Sequence, residues 1–240
     1  MFVSASTERS LDLIAARASD LYRAFTPGAT PASDDVATSV PESRRVFNPL
    51  SVTLPDNDFF VTSDERGRTT YTRDGSLRVT DGILAGENGR PILGYARGEA
   101  ALSELHVDPV DAALGRVRNM RIERDGSVAY ERRVIDPRSG ADVMQRVDVG
   151  RLALARFPAA TKLTPADVST SSAPAGVVPH VGRPGDGNFS TLEPLSRESS
   201  RIDLNASLDR LHDAYVAFDA LQAAHKAQGS TGKIAMDLLK

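Results

Sequence analysis

Few residues in this sequence are spaced to do chemistry together. The four histidines, His106, His180, His212 and His225, are scattered along the chain. The last two lie too far apart to share adjacent helical turns, so surface or seam positions are expected of all four rather than metal ligation. Adjacent carboxylates occur at Asp34-Asp35 and Asp64-Glu65, but both pairs sit in loop-like stretches. A carboxylate acts as a general acid where a cleft desolvates it, and nothing around these pairs signals one. There is no cysteine, which removes disulfides, thiolate metal sites and thiol nucleophiles together. No GxxxxGK[ST] phosphate loop, GxSxG elbow or HExxH helix is present, and the Gly-Asp-Gly at 185–187 lies in a Pro-rich loop rather than between a strand and a helix. The expectation is a protein that is not an enzyme, with no catalytic residues, no cofactor and no metal.

One short string recurs. Arg-Asp-Gly-Ser stands at 73–76 and again at 124–127. Asp-Gly between apolar strand residues is a strong hairpin signal, because a tight turn needs positive φ and glycine permits it. Asp74, Gly75, Asp125 and Gly126 are therefore read as hairpin turns. A two-residue loop would set Tyr71 and Ile122 on the wrong faces, so an extra loop residue or a bulge is expected in both hairpins. That places Tyr71 opposite Val79 and Ile122 opposite Tyr130.

The chain's 240 residues suffice for one large domain or two small ones. Aromatics make up only 5% and Trp is absent, so the core must lean on Leu, Val, Ile and Ala. The net charge of -3 argues against nucleic-acid binding through bulk positive charge. The first twenty residues lack a basic region followed by an apolar core, and no apolar run approaches the ~20 residues of a membrane helix, so neither a cleaved signal nor membrane insertion is expected.

The periodicity predicts a helix over 7–25, with Leu11, Ile14, Ala18, Leu21 and Phe25 recurring in steps of three and four, and Pro27-Gly28 closing it. A second helix is predicted over 197–228, with Leu204, Leu208, Leu211, Tyr215, Phe218 and Leu221 in the same rhythm, interrupted at Gly229 and Gly232. Between them, 57–157 reads as short strands punctuated by Gly, Asp, Asn and Pro: Phe59–Ser63, Thr69–Arg73, Leu77–Thr80, Ile83–Ala85, Pro91–Tyr95, Leu105–Val107, Met120–Glu123, Val128–Val134 and Val147–Ala155. Residues 27–56 read as an extended linker and 158–196 as a Pro/Gly/Ser-rich return segment. The predicted domains are thus an N-terminal assembly helix (1–26), the linker, the β-rich domain, the return segment and a C-terminal assembly helix (197–240). The fold class expected is α+β, a mainly antiparallel β domain flanked by coiled-coil-type helices. Narrow apolar stripes leave two arrangements open: both helices on the sheet, or helices meeting each other or neighbouring subunits. The long linkers favour the second.

The segment FFVTSDERGRTTYTRDGSLRVTDGILAGENGRPILGY, 59–95, resembles the signature of bacterial flagellar rod and hook proteins, with Tyr71, Thr72, Arg73, Asp74, Gly75, Gly82, Gly89, Leu93 and Gly94 in order. IERDGSV (122–128), VDVGRLALARF (147–157), LTPADV (163–168) and GRPGDGNFSTLEPLSRESSRIDL (182–204) resemble the second half of the same family. Of the family's Asn-rich N-terminal signature, Ile14-Ala15 and Thr26-Pro27-Gly28 remain. The resemblance implies a structural component of the flagellar basal-body rod, or a divergent hook-type axial protein. It implies assembly through the helix residues named above into a helical shaft, partners among other rod and hook proteins and the flagellar export apparatus, and a periplasm-spanning location reached without a cleaved signal. A monomeric, non-catalytic scaffold or binding module is the alternative.

Overall fold

The computed structural model describes residues 5–29, 31, 42–138, 140–159 and 161–238, with backbone alone for 228–238. Helix α1 (Ala5–Arg23) leads to strands β1 (Ser43–Arg45), β2 (Val52–Thr53), β3 (Phe59–Ser63), β4 (Thr69–Thr72), β5 (Leu77–Thr80), β6 (Ile83–Gly86), β7 (Leu93–Ala96) and β8 (Leu102–Glu104). Then come α2 (Pro109–Ala113), β9 (Arg118–Ile122), β10 (Ser127–Ile135), β11 (Asp142–Leu152) and β12 (Leu154–Arg156). The short strands β13 (Thr164–Pro165), β14 (Thr170–Ser172), β15 (His180–Gly182), β16 (Glu193–Pro194) and β17 (Ser196–Glu198) precede the long helix α3 (Leu204–Leu238). Asp34-Asp35 lie outside the described residues.

Two antiparallel sheets form the body. One has strand order β8-β7-β11-β10-β9 and the other β13-β14-β4-β3-β12-β15. A single run of chain serves both: β11 ends at Leu152, and after Ala153 the chain continues as β12 in the second sheet. The main core holds Phe60, Leu77, Leu84, Ile92, Leu105, Tyr130, Leu152, Leu154 and Leu192, all nearly or wholly shielded from solvent. Aliphatic residues dominate it, as the composition requires. A smaller cluster around Val61, Tyr71, Ala153 and Ala155 packs beside Phe59 and Phe157, whose rings meet edge to face 5.7 Å apart.

The described residues are mostly β-sheet with three helices, which corrects the expected α+β class and removes its coiled-coil arms. α1 and α3 do lie against each other. Yet Leu11, Phe25, Leu208 and Tyr215 of the expected seam are exposed, and the buried residues of α1 are Ile14, Arg17, Asp20 and Arg23. Among the described side chains of α3 the buried ones are Ser207 and Ala214. Polar and small residues at the contact do not make the interlocking apolar layers of a coiled coil. At 100° per residue the expected single stripe splits. Leu204, Leu211, Phe218 and Leu221 are half-buried on the Ser207–Ala214 side, while Leu208 and Tyr215 face out. The helix is also continuous through Gly229 and Gly232, and its first expected residues, 197–203, are β17 and a loop.

The linker reading of 27–56 gives way over its described second half. There β1 pairs with β17, β2 pairs with β16, and Val52 and Leu54 enter the core. The return segment likewise supplies strands and core residues, Phe189 and Leu192 among them.

The two copies of the repeated tetrapeptide differ. After Ile122 the chain closes a three-residue loop, with Glu123 and Ser127 hydrogen-bonded across it and Gly126 at φ 78°. The extra loop residue is present as expected, but Ile122 faces Val128 rather than Tyr130. The first copy is no hairpin. β4 pairs with β3 and β14, and β5 pairs with β6, so Arg73–Ser76 carries the chain from one sheet to a separate ribbon and Tyr71 faces Val61 and Ser171. The tight hairpin lies one step on, at Asp81-Gly82, where both residues take positive φ (51° and 78°) between the paired Thr80 and Ile83. Gly75 instead has ordinary φ but no room. Its carbonyl accepts from Val52 N at 3.0 Å, and an added Cβ would run into the Val52 carbonyl oxygen.

Gly75→Ala should therefore cost on the order of 3 kcal/mol or more, the range of severe core disruptions. Gly67→Ala, at positive φ with open space around it, should cost about 1–2 kcal/mol. Urea unfolding of the two variants measures the contrast, and equal losses would refute the packing role of Gly75.

Candidate assembly site

Arg73 is the most densely bonded side chain of the body. Arginine has five N–H donors in a fixed plane, and here each has an acceptor. Nε donates to Glu198 Oε1 at 3.3 Å, and Nη2 to Glu198 Oε2 and Leu54 O, both at 2.9 Å. Nη1 donates to Asp56 O and Asp58 O, both at 2.6 Å. Both side chains of the ion pair are almost fully buried, at 1% and 2% exposure. Burial lowers the Arg73 pKa from its ordinary value and Glu198 opposes that shift. An ion pair out of water survives only where its remaining donors are matched, as they are here.

The clamp joins segments distant in sequence. Glu198 ends β17 and also accepts from Arg201 Nε at 2.8 Å. Ser199 donates its N–H to Glu42 O, Gly28 N–H donates to Ser199 O, and Arg201 N–H donates to Ala29 O. Gly28 lies directly on Arg73: a Cβ there would come 2.5 Å from the Arg73 Cβ. Thr26-Pro27-Gly28, Arg73 and Glu198 thus meet at one point, from which α1 and α3 depart. Arg23, at the end of α1, reaches Val168 O at 3.3 Å and anchors the helix to the return segment. Asp74, beside the clamp, accepts the Ser76 amide at 3.0 Å, and burial pushes its carboxyl above the ordinary carboxylate value.

Of the expected assembly residues, Ile14 is buried. Ala18, Leu21, Leu204, Leu211, Phe218 and Leu221 are half-buried, and Leu11, Phe25, Leu208 and Tyr215 are exposed. Leu13, Tyr22 and Val216 add to the exposed set. Six exposed apolar residues, Leu11, Leu13, Tyr22, Leu208, Tyr215 and Val216, thus lie on the two paired helices. The structure brings together the helices and the Thr-Pro-Gly, Tyr-Thr-Arg-Asp-Gly and Ser-Arg-Glu segments, a convergence that the sequence reading did not foresee. Arg73 and Glu198 were visible only as members of separate motifs.

His106 lies on the surface 3.5 Å from Glu104. Among the described residues there is no group of three His, Asp or Glu suited to a metal ion, and no helix is long and apolar enough to cross a membrane. Comparison with known protein families and with curated proteins finds no match for this chain.

Glu198→Gln or Arg73→Lys leaves a buried charge or buried carbonyls poorly matched and should cost about 3–5 kcal/mol. A loss below about 1 kcal/mol in urea unfolding would show that the clamp is dispensable. At Asp74 the sign follows from the raised pKa: its contribution is full while the carboxyl is protonated and is lost as pH rises through the folded value. Asp74→Asn keeps an acceptor for Ser76 and removes the charge. Its stability relative to the unaltered chain should climb from acidic to neutral pH, and a pH-independent difference would contradict this.

Proposed function

We propose that the chain is a structural subunit of the bacterial flagellar basal-body rod, assembling through its terminal helices into a helical shaft that transmits rotation. The observation that carries the reading is the convergence at Arg73. The segments that resemble the rod family, 26–28, 71–75 and 196–204, are far apart in sequence and meet around one buried ion pair. A side chain held by five bonds fits a load-bearing joint better than a catalytic group. The repeated string, on this reading, shapes backbone and performs no reaction. Partners are other rod and hook proteins, and the route outward is the flagellar export apparatus. A heterologous contact that does not close on itself generates such a filament.

The second reading is a self-contained scaffold module. It is favoured by the contact of α1 with its own α3 and by the Arg23 anchor to Val168.

Two experiments separate them. Deletion of the gene should abolish motility and stop growth of the axial structure at the rod, and a motile deletion strain would refute the rod reading. The double variant Leu208→Asp/Tyr215→Asp alters side chains that face outward, so the β body should keep its urea midpoint while incorporation falls. Normal incorporation would refute assembly through α3. Leu211 and Phe218 are poorer targets, because their half-buried positions tie the effect to folding of the helix pair.

A further inference from the structure

A second surface lies at the foot of the helices. Phe25 and Phe47 are among the most exposed apolar residues described, at 75% and 105%. They flank a groove of about 580 Å³ that also takes in Arg44, Arg45 and Arg197. β1 and β17 form a two-stranded ribbon in which Arg44 and Arg197 are direct cross-strand partners. Like charges set opposite each other destabilise such a ribbon. Arg44 and Arg45 form no ion pair with any described residue. Arg197 reaches Glu87 at 3.2 Å, but its Nε is buried without a hydrogen-bond partner. Glu198, the carboxylate lining the groove, is already held by Arg73 and Arg201. The groove therefore presents aromatic surface and uncompensated positive charge.

The complement is on the same chain. On α3, Leu208, Tyr215 and Val216 are about half exposed, and Asp209 and Asp219 are exposed beside them. At 100° per residue these five project within about 120° of one another. Leu208, Tyr215 and Val216 form an apolar stripe roughly 12 Å long, shared with the exposed His212 and flanked by the two carboxylates. Both surfaces are open in the single chain, so neither covers the other.

We propose that the groove between Phe25 and Phe47 docks the Leu208–Asp219 stripe of a second copy of this chain, with Arg44 and Arg45 facing Asp209 and Asp219. Because groove and stripe are different surfaces, the contact is head-to-tail and propagates. It rests on the self-assembly reading and names its contact.

The test uses the purified full chain and exchanges charges. Arg44→Glu/Arg45→Glu, and separately Asp209→Arg/Asp219→Arg, should each raise the concentration needed for self-association, followed by sedimentation, by roughly tenfold or more. Mixing the two variants should restore alternating association towards the unaltered value. If the unaltered chain assembles and neither variant changes it, or if mixing restores nothing, this contact is wrong while self-assembly stands. If the arginine variant leaves association intact but loses binding to vesicles of anionic lipid, the groove serves a membrane surface and the proposal falls. If the unaltered chain remains monomeric at every concentration, the assembly reading itself fails and takes the contact with it.

Discussion

A guanidinium buried beside a carboxylate must satisfy every N–H it carries, and that requirement organises this molecule. Arg73 can be buried only if the chain delivers two carboxylate oxygens and three carbonyls to one plane. Those acceptors come from 54–58 and from 198, so the approach to β3 and the entry to α3 are fixed together. Gly28 then closes over the Arg73 backbone, which sets where the N-terminal segment leaves the body. Replacement of the pair by apolar residues could be as stable. What the ion pair adds is direction, because its fork accepts one arrangement of partners.

The same constraint connects body and helices. The helix pair buries Ile14 with the polar Arg17, Asp20 and Ser207 and the small Ala214, and leaves its larger apolar residues at most half-buried, so apolar burial alone holds it less firmly than the sheets. It depends on being anchored at its base, through Arg23 to Val168 and through the strand ribbon of β1 and β17. The apolar residues that the pair does not use, Leu208 and Tyr215 above all, remain available outside. On the proposed rod reading, that division leaves the outward stripe free for a neighbour.

Local pattern revealed the strands well and the long-range joints poorly. Phe59–Ser63 and Leu77–Thr80 were legible to the residue because alternation and turn residues bound them. Leu105–Val107 was displaced to Leu102–Glu104, and the short helix Pro109–Ala113, capped by Asp108, was not foreseen. Residues 42–56 read as linker because their pairing partners lie 140 to 155 residues away, at β16 and β17, where no window reaches. Asp74-Gly75 and Asp81-Gly82 carry the same dipeptide, yet only the second is a tight hairpin. The first is held by Val52, a contact invisible in its neighbourhood. Arg73 and Arg124 stand in identical tetrapeptides, one enclosed and one exposed, because surroundings assign the role. The helical seam misled for a geometric reason: steps of three and four fit one stripe on paper, while a straight helix without supercoil turns successive members away from a single line.

Native-state hydrogen exchange at the Gly28, Ser199 and Val52 amides tests the clamp most directly, since each is hydrogen-bonded across a junction that Arg73 holds. The account predicts that all three open with the same free energy as Val61 and Leu152 in the body, as members of one cooperative unit. Rapid exchange at Gly28 and Ser199 while Val61 and Leu152 stay protected would show that the helices hang on the body without the joint described, and would contradict the account.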